Sequence, residues 1–275
     1  MGALPTAVTS AEPLWVPFRV IAGTSVERDL REAHFGDLRR LTTGGMGGAP
    51  TWTADGRSLR YVAPDDCRVQ LTVELDSGRI KRTEFAKALE SVVTEDGLLE
   101  AECERASSPE ARSAAKSLSA SEPTALLAPA PVAIGGITNP RSRPTFSHDH
   151  AWLAWQARAD GAAEGTSAIF LSTSSGARPH AITRDGRANV HPTFTRKGRV
   201  LYASDRDAAP GGSSLALHLV DPEGPATASG GPRVERVSWG SGERAPRVSP
   251  DGSWLAFLST RGGAGWDLYV ARWLD

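Results

Sequence analysis

The chain has 275 residues and carries 31 lysines and arginines against 32 aspartates and glutamates, a net charge of −1. A near-neutral chain shows no bulk electrostatic attraction to nucleic acid or to anionic membranes, so neither partner is expected. No apolar run reaches the roughly 18–20 residues of a membrane span, and the N-terminus lacks the pattern of a signal peptide. We therefore expect a chain with neither a membrane span nor a signal peptide.

The sequence pattern near the N-terminus predicts two separate strands. Residues 1–35 form an extension in which LWVPFRVIA (14–22) favours one strand, and GDLRRLT (36–42) is typical of an outer blade strand. Residues 36–275 are then expected to form one domain. Cys67 and Cys103 lack the spacing of a metal site, and whether they pair is left open.

One short phrase recurs along the rest of the chain, at intervals close to the roughly 40–50 residues of a four-stranded propeller blade. Its clearest copy is SPDGSWLAFLSTR (249–261), a tight turn followed by an apolar strand. Aspartate in such a turn accepts backbone hydrogen bonds, and glycine accepts positive φ. The turn positions are Asp55, Gly56, Asp96, Gly97, Asp149, Lys197, Gly198, Asp251 and Gly252.

Apolar residues repeat on both sides of the turn. A proline opens the strand before the turn in four copies, and an aromatic residue sits near the centre of the strand after it. A strand that is apolar on both sides is buried on both faces, as between stacked sheets. The predicted core positions are Trp52, Tyr61, Phe146, Trp155, Phe194, Tyr202, Val248 and Phe257.

The expected fold is all-β, a β-propeller of four-stranded antiparallel blades with five recognisable repeats and six possible. Residues 86–134 are the degenerate part, where SSPEARSAAKSLSASEP (107–123) favours a helical or loose segment. The last unit lacks a fourth strand, and residues 36–42 lack inner partners. We therefore predict that 36–42 pairs with 266–273 and closes the ring, with Leu38 and Leu41 burying that edge.

The phrases RAPRVSPDGSWLAFLSTR (244–261), 36–62 and 189–207 resemble the TolB-like β-propellers, which carry WD40-like SPDG repeats. The resemblance implies a protein-interaction module or scaffold without enzymatic activity, in the periplasm or an envelope complex of a bacterium. A protein or peptide partner would then contact the loops 157–166 and 205–213. The resemblance leaves the compartment of this chain unknown.

Catalytic residues, metals and cofactors are not predicted. There is no G-x-S-x-G elbow, and GGMGGAP (44–50) opens no helix as a phosphate loop would. His148 and His150 form an H-x-H pair inside a turn, and His191 precedes Pro192 on an inner strand; these three are weak metal candidates. Two alternatives stay open: a propeller enzyme, lyase-like or hydrolase-like on a saccharide, with a ligand or metal in its channel, and a structural subunit of a larger assembly.

Overall fold

The computed structural model describes residues 19–43, 49–63, 69–84, 91–94, 97–100, 144–158, 163, 165–209, 212, 214–225, 231–263 and 265–275. Every helix or strand within these ranges is a β-strand. In chain order the strands are β1 (Arg19–Ser25), β2 (Phe35–Thr43), β3 (Thr51–Trp52), β4 (Ser58–Val62), β5 (Val69–Glu74), β6 (Ile80–Glu84), β7 (Ser91–Thr94), β8 (Gly97–Glu100), β9 (Thr145–Phe146), β10 (Trp152–Ala157), β11 (Ala168–Thr173), β12 (His180–Ala181), β13 (Asn189–Phe194), β14 (Val200–Ser204), β15 (Ala216–Val220), β16 (Val234–Arg236), β17 (Glu243–Val248), β18 (Trp254–Ser259) and β19 (Asp267–Trp273).

These strands form four antiparallel blades. Blade 1 has the order β3-β4-β5-β6, blade 2 is β9-β10-β11-β12, and blade 3 is β13-β14-β15-β16. Blade 4 joins the two ends of the described chain in the order β17-β18-β19-β2-β1. The first strands of neighbouring blades contact one another, β3 with β17, β17 with β13 and β13 with β9. The fold is therefore a β-propeller, and these first strands form its inner wall.

The predicted closure by an N-terminal strand is confirmed. Strand β2 pairs antiparallel with β19, with Arg39 opposite Val270 and Leu38 opposite Ala271. Leu38 and Leu41 are buried at this junction. Strand β1, within the predicted extension 1–35, pairs with β2 and is the fifth strand of the same sheet rather than part of a further blade.

The repeated turn has one geometry in three blades. The hydroxyl of Ser249 donates to Asp251 and accepts the N–H of Trp254, and the Asp251 carboxylate accepts the N–H of Ser253. Gly252 follows with φ 75°. The turns that begin at Thr53 and Ser147 repeat these contacts. The sequence phrase is thus a hydrogen-bonded turn that fixes the angle between the first two strands of a blade.

The described residues form four complete blades, one fewer than the five predicted repeats. Within the described ranges the unit around Thr94 contributes the hairpin β7–β8, which contacts β3 and β4 of blade 1. Its strands have four residues each and the unit lacks the proline and the central aromatic residue, so it has less apolar surface to bury. Asp96, Cys67, Cys103 and the segment 107–123 lie outside the described residues.

The core lies between the blades, where side chains from facing sheets pack together. Phe257 and Leu201 share the cluster between blades 4 and 3, and Tyr202 and Ile169 share the cluster between blades 3 and 2. Six of the predicted core residues are buried: Trp52, Tyr61, Trp155, Phe194, Tyr202 and Phe257. Val248 is only partly buried against its cluster.

Phe146 departs from the core prediction because 54% of it is exposed. It belongs to a strand of two residues, and its ring lies against His150 of the following turn, with the ring centroids 5.8 Å apart. The side chain therefore lies over the turn at the end of the blade instead of entering an interface between sheets. No helix within the described ranges has the length and hydropathy to cross a bilayer.

Candidate functional site

The inner strands of blades 3 and 4 are distorted at the same repeat position. The pairing of β13 with β14 shifts between Val190 and Thr193, and that of β17 with β18 shifts between Arg244 and Arg247. His191 and Ala245, each followed by proline, have φ of 56° and 50°. Proline cannot donate to the ladder, and left-handed conformations of such residues are costly and cluster at functional sites.

His191 is held in the inner wall with one ring nitrogen unused. Its backbone N–H donates to Oε1 of Gln156 in blade 2, at 2.8 Å. Its Nδ1 atom is buried and has no hydrogen-bond partner. Burial, together with the charges of Arg247 and Arg244, lowers the pKa of His191 to about 3. The imidazole is therefore neutral at pH 7.

Two arginines of β17 bring positive charge to this part of the wall. Arg247 follows Pro246, at a repeat position that holds threonine in the other three proline-containing copies. Its carbonyl accepts the Nε1–H of Trp52 from blade 1, at 2.8 Å. The guanidinium of Arg244 lies 4.3 Å from the ring centroid of Trp266. The Arg247 guanidinium donates to the carbonyl of Pro246, at 3.1 Å, and the charges of both arginines act on the His191 ring.

A groove lies at the turn end of the same strands. It encloses about 170 Å³ and is built by three blades, from Phe146 and His148, from residues 193–196, and from residues 248–250 with Gly252. Phe146 and Phe194 are equivalent repeat positions, yet Phe194 is 7% exposed and Phe146 54%. The groove therefore presents the exposed ring of Phe146, and His148 and Arg196 also line it.

The histidines predicted as weak metal candidates do not come together. His148 lines the groove, His150 occupies the glycine position of its turn with φ 57°, and His191 lies in the inner wall of blade 3. The described residues contain no group of three or more histidine, cysteine, aspartate or glutamate side chains that could hold a metal ion.

The other end of the blade 3–blade 4 junction carries a buried charge cluster, the latch, made of Glu32, Glu243 and Arg261. Both carboxylates are fully buried and both accept hydrogen bonds from the Arg261 guanidinium. Glu32 also accepts the backbone N–H of Trp239, at 2.9 Å. Burial raises the pKa of Glu243 despite the nearby arginine. The latch ties the loop between β1 and β2 to blades 3 and 4.

Sequence reasoning missed Gln156, Arg244, Arg247 and the whole latch. Arg247 had a signal, because it replaces the threonine of the other copies after the repeat proline. Gln156 and Glu32 had none, since their partners lie 35 and up to 229 residues away along the chain. The loops 157–166 and 205–213 fall partly outside the described residues.

Comparison with solved structures gives similar propellers at low identity. The chain is similar to a TolB from Agrobacterium tumefaciens, with 18% identity and a TM-score of 0.37 over 86% of this chain and 65% of that one. It is similar to TolB from Acinetobacter baumannii, with 14% identity and a TM-score of 0.31 over 85% of this chain and 45% of that one. An oligogalacturonate lyase from Vibrio parahaemolyticus matches at 10% identity and a TM-score of 0.38, over 93% of this chain and 97% of that one.

The chain thus spans about two thirds of the length of the first TolB and under half of the second. No protein-family model and no curated protein matches it. The class of the protein is set by its own sheet topology, which is that of a β-propeller of antiparallel blades. TolB proteins, which the repeat phrase resembles, are among the solved structures that share this fold.

Proposed function

We propose that this propeller is an interaction module without enzymatic activity that binds a peptide segment of a protein partner in the groove at its turn end. The observation that carries the proposal is the exposure of Phe146, a repeat core position that is buried in the next blade as Phe194. By resemblance to TolB-like propellers, the partner belongs to the bacterial cell envelope.

An exposed phenylalanine at the edge of a groove suits recognition of a partner. Burying such a ring removes a large apolar area from water, and a few central aromatic residues often supply most of an interface's binding energy. The ring of Phe146 is already oriented by His150, so little side-chain freedom remains to be lost on binding. Because residues of three blades line the groove, a bound peptide can contact side chains on more than one of its sides.

The proposal is tested by selecting random twelve-residue peptides from a phage library on the immobilised protein and measuring their affinities for variants. Phe146→Ala should weaken the selected peptides more than tenfold, about 1.4 kcal/mol or more. Ile80→Ala is the matched control, since Ile80 is also exposed, at 44%, but lies on the outer strand of blade 1. Urea unfolding of Phe146→Ala should give the wild-type midpoint.

Three results would contradict the proposal. The first is that peptides are selected but bind Phe146→Ala and Ile80→Ala equally well, and the second is that no peptide is selected. The third is that light scattering shows a dimer of the wild type that Phe146→Ala converts to a monomer, because a second copy of the chain would then occupy the groove.

A further inference from the structure

We infer that a cavity at the end of blade 2 remote from the groove binds a small organic carboxylate with an apolar, ring-sized body. The cavity encloses about 580 Å³, which is within the range of small-molecule sites. Trp152 pairs with Thr173 beside the turn of this blade, whereas Ala157 pairs with Ala168 at the cavity. The inference therefore concerns a second site, and it does not rest on the function proposed above.

The floor of the cavity is apolar and belongs to one face of blade 2. Phe170 of β11 and Ala181 of β12 line it and are direct cross-strand partners. Ala168 lies two residues before Phe170 on the same strand and therefore on the same face, and Pro179 completes the apolar lining. The ring of Phe170 is stacked on Trp155, with the ring centroids 5.7 Å apart. The floor is thus a fixed apolar surface on which a ligand ring can pack.

The rim of the cavity carries two arginines that have no ion-pair partner within the described part of the chain, Arg184 and Arg187. Arg184 donates from Nε to the carbonyl of Ala181, at 3.3 Å, which places its guanidinium at the edge of the apolar floor. The guanidinium of Arg187 makes no hydrogen bond to any described residue. Guanidinium groups bind carboxylates through short charge-assisted hydrogen bonds, so an anionic ligand would supply the missing partner.

The carboxylate among these lining residues, that of Asp185, does not neutralise the rim because it is engaged elsewhere. Its Oδ1 atom accepts the side-chain amide of Asn189, at 2.8 Å, and the backbone N–H of Arg187, at 3.2 Å. Its Oδ2 atom forms an ion pair with Arg206, at 3.4 Å. His180 donates from Nδ1 to a backbone carbonyl, at 3.1 Å, and brings no negative charge. The charge that remains at the cavity is therefore positive.

A buried hydroxyl supplies a further hydrogen-bond donor. Thr183 lines the cavity with only 4% of its surface exposed, and its oxygen accepts the backbone N–H of Ile169, at 2.9 Å. Its hydroxyl proton has no acceptor among the residues that the structure describes. Buried donors are normally paired, so this one favours an acceptor brought by a ligand. Two guanidinium groups and a hydroxyl beside an apolar floor together fit a carboxylate attached to a ring.

The probe is para-fluorophenylacetate, and its binding is followed by fluorine NMR titration. Matched probes change one property each: para-fluorophenethylamine is a cation, para-fluorophenethyl alcohol is neutral, and fluoroacetate has the carboxylate without the ring. Wild type should bind para-fluorophenylacetate about tenfold or more tightly than any of these three. A fourth probe, para-fluorobenzylphosphonate, distinguishes a carboxylate from a phosphate-like anion, and tenfold tighter binding of the phosphonate would overturn the assignment to a carboxylate.

Substitutions at the rim test the two guanidinium groups. Arg184→Gln and Arg187→Gln should each weaken para-fluorophenylacetate about threefold or more, and the double variant about tenfold or more. Arg178→Gln is the matched control, because Arg178 is exposed on the same blade but does not line the cavity, and its affinity should equal that of wild type. If a rim variant fails to fold, the amide resonances of wild type keep the test decisive. Ile169 and Gly186 should shift on binding, and shifts confined to other blades would overturn the site.

Three further results overturn the site: no binding of para-fluorophenylacetate, equal binding of the acid and the alcohol, and equal affinities of wild type and the double rim variant. Phe146→Ala should bind the probe as wild type does, and a loss of binding in that variant would place the probe in the groove instead. Failure of this site leaves the interaction module intact, since peptides selected in the groove depend on Phe146 and not on Arg184 or Arg187.

Discussion

The substitution His191→Asn removes the ring from the inner wall and should flatten the acid side of the stability profile. Asparagine tolerates the left-handed conformation that His191 adopts, with φ 56°, and it keeps the backbone N–H that donates to Gln156. It has no group that titrates between pH 3 and pH 8. The difference between wild type and variant therefore isolates the protonation of this imidazole.

The sign and size of the effect follow from linkage. The pKa of His191 is 6.5 in the reference state and about 3 in the folded protein. Since the unfolded chain binds the proton more tightly, stability from the neutral ring is fully present above pH 6.5 and is lost as the pH falls towards 3. Between pH 7 and pH 5 the loss is about 2 kcal/mol, an upper value because part of the residue reaches solvent.

Urea unfolding at pH 7, 6 and 5 measures this quantity in both proteins. Wild type should lose up to about 2 kcal/mol more than His191→Asn over this range. Burial also lowers the pKa of His218, but that group is present in both proteins and cancels in the comparison. Parallel profiles of the two proteins would show that the ring is not held neutral by burial, and the electrostatic description of the inner wall would then be wrong.

Further substitutions test other parts of the fold by urea or thermal unfolding. Phe257→Ala should cost about 3–5 kcal/mol because the ring is fully buried between blades 3 and 4; a midpoint equal to that of wild type would contradict this packing. Glu32→Ala should cost about 1–3 kcal/mol because the N–H of Trp239 and the guanidinium of Arg261 each lose a buried acceptor, whereas exposed Glu223→Ala serves as control. Deleting residues 1–42 removes β1 and almost all of β2 and should give an aggregating protein; a monomer with an unchanged melting temperature would mean that the ring closes otherwise. The pair His148→Pro and His150→Gly should leave stability equal or higher, since His150 has φ 57°; a loss of more than 1 kcal/mol would give these rings a structural role.

Most of the fold could be predicted because its signals are local. A hydroxyl residue, an aspartate and a glycine within four positions determine the turn, and the apolar strand that follows needs both faces covered. Closure of the last blade was also predictable, since residues 36–42 lacked inner partners and the last unit lacked an outer strand. That inference used the general cost of an open sheet edge.

The unit around Thr94 shows where such reasoning weakens. The turn phrase alone suggested a complete blade, whereas the described residues of this unit, which lacks the proline and the aromatic strand, form the hairpin β7–β8. A turn specifies how two strands meet, whereas a blade requires enough apolar area on both faces to stack. The number of blades therefore depends on the strands more than on the turns.

The candidate site consists of residues that differ from the repeat pattern. Only the folded structure shows which of these residues lie near one another. Phe146, His191 and Arg247 come from three different blades, and nothing local in the sequence shows that they lie along one inner wall and its groove. A repeat position that packs between two blades is constrained by both neighbours, whereas one that faces the groove or the inner wall is not. The same position can therefore hold threonine in three blades and arginine in the fourth at little cost to the fold. A propeller can evolve a binding site at such positions, because a charged or aromatic side chain can be introduced there without changing the packing between the blades.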